Sequence, residues 1–99
     1  MQKKFLCKRK FLNAKGFHSL AAIYANIYLE QNTGSEANIF AELSLSDCGR
    51  QVSIDIDTYD KPGLRNTISK LMIIRDTCDE MISAIEKAYE EKGKLNKDK

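Results

Sequence analysis

The residues most able to do chemistry are a run of carboxylates, one histidine and three cysteines. Asp55 and Asp57 stand two apart, so on a strand they share a face, and with Glu42 nearby they offer oxygen ligands of the kind a hard cation takes. The run lacks the D-x-D-x-D-G spacing and the closing Glu of a calcium loop, so a solvated strand face that discourages edge pairing is the expected role. No metal is expected. His18 is the single histidine, beside Ser19 and across a hairpin from Cys7. A nucleophilic dyad also needs an orienting third group and an oxyanion site, and neither is legible. There is no Gly-rich phosphate loop, HExxH or Cys/His metal spacing. The sequence therefore predicts no enzyme and no cofactor. Cys7, Cys48 and Cys78 are odd in number and widely spaced, the pattern of reduced thiols in a cytoplasmic chain rather than of a disulfide framework.

Binding chemistry is better represented. Tyr24, Tyr28, Phe40 and Tyr59 are predicted to project from one side of a sheet, interleaved with Asn26, Asn38 and Glu42, with Lys8 and Lys10 bordering them. Aromatic side chains bring large contact area with few rotors, which favours them in contact patches. The plainer role for the same side chains is cross-strand packing that stiffens the sheet.

The elements that must position these groups follow from turn signals and periodicity. Asn13-Ala14-Lys15-Gly16, Asn32-Thr33-Gly34-Ser35 and Asp47-Cys48-Gly49-Arg50 each join Asn or Asp to a Gly that tolerates positive φ. They cut the first sixty residues into four runs of strand length. In the second run Ala21, Ile23, Ala25, Ile27 and Leu29 alternate with polar and aromatic residues; in the third Ala37, Ile39, Ala41, Leu43 and Leu45 do so; in the fourth Val52, Ile54 and Ile56 oppose Ser53, Asp55, Asp57 and Tyr59. Such strands want one dry face. The first run is less regular: Phe5, Cys7 and Phe11 are predicted inward with Arg9 between them, and Lys4, Lys8 and Lys10 outward with Leu6 and Leu12, reconciled by a bulge near Arg9 or by an edge position that lets its long stem snorkel to water.

After Asp60-Lys61-Pro62-Gly63 the period lengthens. Leu64, Ile68, Leu71, Met72, Arg75, Cys78, Ile82, Ile85 and Tyr89 step by three or four, predicting one long amphipathic helix that stops at Gly93. The expectation is an α+β fold, a four-stranded antiparallel meander covered on one face by a single C-terminal helix, with 1–93 as the domain and 94–99 as a polar tail.

Charge is distributed unevenly over the 99 residues. Residues 1–16 carry six bases and no acid, residues 17–60 one base and seven acids, residues 61–99 nine bases and seven acids. The formal net charge is only +2, so the polarity orients partners more than the total attracts them. No run is long and apolar enough to span a membrane, and the basic start is no signal-peptide core, so a cytoplasmic location without membrane contact is expected.

Two functions use the aromatic face. The first is a non-enzymatic module that works through protein–protein contacts, as a homodimer and through an unidentified protein partner, since an open sheet also leaves two unpaired edges. The second is single-stranded nucleic-acid binding, with aromatics stacking on bases while Lys4, Lys8, Arg9 and Lys10 hold the backbone. Four strands followed by a helix resembles the repeat unit of Whirly-type single-stranded-DNA binders, a likeness of topology that covers nearly the whole chain and implies that second function. Glu30, Glu42, Asp55 and Asp57 on the same face repel phosphates and place it behind the first. Small Lys-, Asn- and Ile-rich domains without catalytic signatures are also common among phage and mobile-element accessory proteins that occlude a host partner.

Overall fold

The computed structural model describes residues 1–13, 21–34 and 36–97. Strands β1 (Gln2–Phe11), β2 (Ala21–Glu30), β3 (Asn38–Asp47) and β4 (Arg50–Ile54) precede one helix, α1 (Lys61–Lys97). The sheet is antiparallel and in chain order, β1-β2-β3-β4, the expected meander. The chain divides into two units, Met1–Thr67, with the sheet and the first turns of the helix, and Ile68–Lys99. The turn predicted at Asn13-Ala14-Lys15-Gly16 falls largely outside the described residues.

Alternation assigns the faces of β2, β3 and β4 as the sequence predicts. Directly opposed residues share a face, and the register sets Ile23 against Leu45, Ala25 against Leu43 and Ile27 against Ala41. Leu43 is in turn opposite Ile54, and Leu45 opposite Val52. The β2–β3 register runs unbroken from Ala21↔Asp47 to Glu30↔Asn38. At the β3–β4 reversal Cys48 has φ 51° and Gly49 φ 80°, the two consecutive left-handed residues of a type I′ hairpin whose twist matches that of the strands. Within the second turn signal, Gly34 takes φ 78°.

The first strand differs from expectation. Lys4 pairs with Tyr28 and Leu6 with Ile27, so the bulge holds Phe5 as the extra residue, and no bulge lies near Arg9. One inserted residue reverses the parity of everything that follows. Leu6, Lys8 and Lys10 thus oppose Ile27, Ala25 and Ile23 on the aliphatic face, while Cys7, Arg9 and Phe11 oppose Asn26, Tyr24 and Ala22 on the other. Phe5 is itself exposed, with Lys3 Nζ 5.3 Å from its ring centroid. Lysines on an edge strand extend apolar stems over the sheet margin and keep their ammonium groups in water, which also blunts the edge against further strands.

The fourth strand ends at Ile54, and the segment predicted to continue through Tyr59 leaves the sheet. Its backbone groups are claimed by side chains instead of by a ladder. Thr67 Oγ1 accepts a hydrogen bond from Asp57 N at 3.0 Å and donates one to Asp57 O at 2.7 Å. Thr58 Oγ1 donates to Ile39 O at 2.9 Å, and Asp57 Oδ1 accepts from Tyr59 N at 3.0 Å. Asp60 then caps the helix: its Oδ1 accepts from Gly63 N at 2.8 Å and its carbonyl from Leu64 N at 2.9 Å. Pro62 lies in the first turn, where no intrahelical N–H is required. Gly63 has a steric reason: a Cβ there would sit 2.6 Å from Asp57 Oδ2.

The helix runs through Gly93 to Lys97, so the predicted stop at Gly93 is corrected. An interior glycine costs about 1 kcal/mol. Lys94 lies 3.8 Å from Glu90 and 3.9 Å from Glu91, and Lys94 and Lys97 sit where the helix dipole favours cations. Among the described residues only Ala21 (4%) and Thr67 (5%) are buried. Within the sheet Ile23, Ala25, Ile27, Leu43 and Ile54 are half-buried.

Candidate binding surface

The face opposite the aliphatic one has two parts. At one end Tyr28 and Phe40 are directly opposed across β2 and β3, and their rings stack with centroids 5.1 Å apart and planes 13° from parallel. Stacked aromatic pairs contribute roughly 0.5 to 1.5 kcal/mol beyond their buried area, so this contact stiffens the sheet as well as presenting a flat apolar surface. Lys4 joins the same row from β1. Toward the other end lies an open concavity of about 720 Å³ with a mixed lining: Ser44 and Ser53 are cross-strand partners, as are Ser46 and Gln51, and Ala41, Leu43, Ile54 and Ile56 line it beside them. Tyr24 and Arg9, opposed to each other, bound it on the β1 side, and Glu42 and Asp55 also line it. Between the two parts Asn26 sits between Cys7 and Glu42 in the adjacent strands, and its Oδ1 is buried with no hydrogen-bond partner.

Of the residues the sequence nominates for partner contact, the structure brings Tyr24, Tyr28 and Phe40 onto this face. Tyr59 is not there: it lies beyond the end of β4 and is 91% exposed. The four cations divide. Lys4 and Arg9 share the aromatic face, whereas the bulge sends Lys8 and Lys10 to the aliphatic side, so the expected border of Lys8 and Lys10 along the aromatics is corrected.

The acidic run divides as well. Asp55 lines the concavity, Asp57 is a hydrogen-bond hub for Tyr59 and Thr67, and Asp60 caps α1. Among the described residues no three His, Cys, Asp or Glu side chains converge as a metal site would require. His18 and Ser19, and with them the Cys7–His18 encounter, lie outside the described residues. Cys7, Cys48 and Cys78 are exposed and form no disulfide. Among the described residues no helix is long and apolar enough to cross a membrane.

Sequence reasoning passed over the serines of the concavity and the Asp57–Thr67 joint. The serines had a signal, since Ser44, Ser46 and Ser53 occupy the outward positions of two alternating strands. The joint had none, because a hydroxyl bonding ten residues back leaves no periodic trace. No family, curated protein or solved structure matches this chain.

Proposed function

We propose that this chain is a non-enzymatic binding module that acts through protein–protein contacts, self-association first among them. The observation that carries the reading is a mismatch of lengths. A helix of 37 residues extends about 55 Å, whereas a ten-residue strand extends about 33 Å. The sheet has one aliphatic face to cover, and α1 has the apolar stripe to cover it. With α1 laid along that face, roughly 20 Å of helix still overhangs, and the overhang carries apolar residues. A second copy is the simplest cover for the apolar surface of α1 that the sheet leaves open, in the overhang and on the helix flank turned away from the sheet, because a closed two-fold arrangement buries the same patch on both molecules. The aromatic face, with Tyr28, Phe40 and Tyr24 beside an open concavity, is then left for a separate protein partner.

The nucleic-acid reading loses two of its four cations to the aliphatic side, and Glu30 and Glu42 share the aromatic face that phosphates would have to approach. Thermal unfolding tests the preferred reading. Linkage of folding to association makes the midpoint rise with protein concentration, and over a hundredfold range an increase of several degrees is expected. A midpoint independent of concentration contradicts self-association. Salt-sensitive capture of a labelled oligonucleotide that is lost on Lys4→Ala with Arg9→Ala would favour the alternative.

A further inference from the structure

From the helix we infer that self-association takes the form of an antiparallel pair, α1 of one copy against α1 of a second, with the two-fold axis between Asp76 and Thr77. This rests on the self-association proposed above and adds its surface and orientation. Two independent patterns point to that axis. The first is the apolar seam. Leu64, Ile68, Leu71, Arg75, Cys78, Ile82, Ile85 and Tyr89 follow one another by alternating steps of four and three, the repeat of about 3.5 residues that keeps a seam facing a neighbouring helix. Reversed and laid against itself, the seam pairs Leu64 with Tyr89, Ile68 with Ile85, Leu71 with Ile82 and Arg75 with Cys78 of the second copy, with no layer left over.

The second pattern is charge. From Lys61 to Arg75 the helix carries four bases and no acid; from Asp76 to Glu91 it carries six acids and one base. The sign changes between Arg75 and Asp76, one residue from the axis that the seam defines. An antiparallel pair sets each basic half beside an acidic half, whereas a parallel pair sets like beside like along its whole length. On one flank of the seam Arg65 meets Glu86 of the second copy, twice by symmetry. On the other flank Ile74 meets Met81, and this apolar side suits the sheet layer proposed above.

The charge pair supplies a test in the full-length protein. Arg65 and Glu86 are exposed, so reversing either leaves the fold intact, as circular dichroism would verify. They stand about 31 Å apart along one helix, too far to couple within a chain. R65E and E86R alone should each weaken dimerisation roughly tenfold, since two attractive pairs become repulsive. The R65E/E86R double variant should recover to within about threefold of the parent. An equimolar mixture of R65E chains with E86R chains should do the same as a heterodimer, because every pair in it is attractive.

Orientation is read separately by oxidation in a background with Cys7, Cys48 and Cys78 replaced by serine. Chains carrying L71C should cross-link to chains carrying I82C and not to one another, because in the antiparallel pair two copies of position 71 lie about 16 Å apart along the axis. Cross-linking among L71C chains alone, or singles that weaken without recovery in the mixture, overturns the antiparallel pair while leaving self-association standing. A parent protein that is monomeric at every concentration overturns the self-association beneath it.

Discussion

Leu43→Asp is expected to lower the free energy of unfolding by at least about 3 kcal/mol, and Ser44→Asp, one residue along the same strand, by less than about 0.5 kcal/mol. Leu43 belongs to the third of four strands, with Ala25 and Ile54 as its cross-strand partners. If a helix covers that face, an aspartate there is either desolvated without a partner or forces the two layers apart, and both are costly. Ser44 lies on the opposite face of the strand beside Ser53, in an open concavity where a carboxylate keeps its water. The two substitutions share the strand and the residue introduced, and strand propensity differs by at most about 1 kcal/mol, so the larger part of their difference reports the face. Urea denaturation at a single protein concentration measures it. Equal, small effects would mean that the aliphatic face meets water in the folded protein and that no helix covers it.

The second large effect belongs to the joint between sheet and helix. Thr67→Val removes one hydroxyl that satisfies both the N–H and the C=O of Asp57, in one of only two buried residues among those described. Asp57 is exposed and the two bonds are only partly buried, so water reaches both freed groups and a loss of about 2 kcal/mol is expected. Threonine and valine are nearly isosteric and have similar helix propensity, so neither shape nor propensity accounts for such a loss. Thr67→Ser keeps the hydroxyl and should cost only about 1 kcal/mol for the missing methyl. Equal destabilisation by the two variants, read as equal shifts in the urea midpoint, would remove the hydrogen bonds from the account.

What the sequence discloses and what it hides divide along the range of the interaction. In β2, β3 and β4 each strand alternates cleanly, so the faces and the position of Tyr24, Tyr28 and Phe40 are legible from parity alone. In β1 the lysines alternate with apolar residues well enough to suggest a strand, yet parity on either side of an unrecognised bulge at Phe5 is opposite, and so Lys8 and Lys10 were expected on the wrong face. The end of β4 is hidden for a different reason. Ile56 continues the alternation beyond Ile54, but the backbone at Asp57 is already committed to a side chain ten residues away. Tyr59 leaves the candidate surface as a consequence. At Gly93 the expected signal was real but weak, a penalty near 1 kcal/mol set against the ion pairs and dipole contacts of Lys94 and Lys97.

The two units share one physical problem. The sheet carries an aliphatic face and the long helix an apolar stripe, and each is surface that water disfavours. The 37-residue helix outreaches any ten-residue strand, and its charge reverses sign along its length. Both features are the ground on which self-association is proposed above.

The most direct measurement of that claim is the molar mass of the full-length protein in solution, by light scattering after size exclusion, across a concentration series. The chain weighs 11.3 kDa, and the account predicts twice that mass at micromolar and higher concentrations. A mass of 11.3 kDa at every concentration, from a protein that nonetheless unfolds cooperatively, would contradict it.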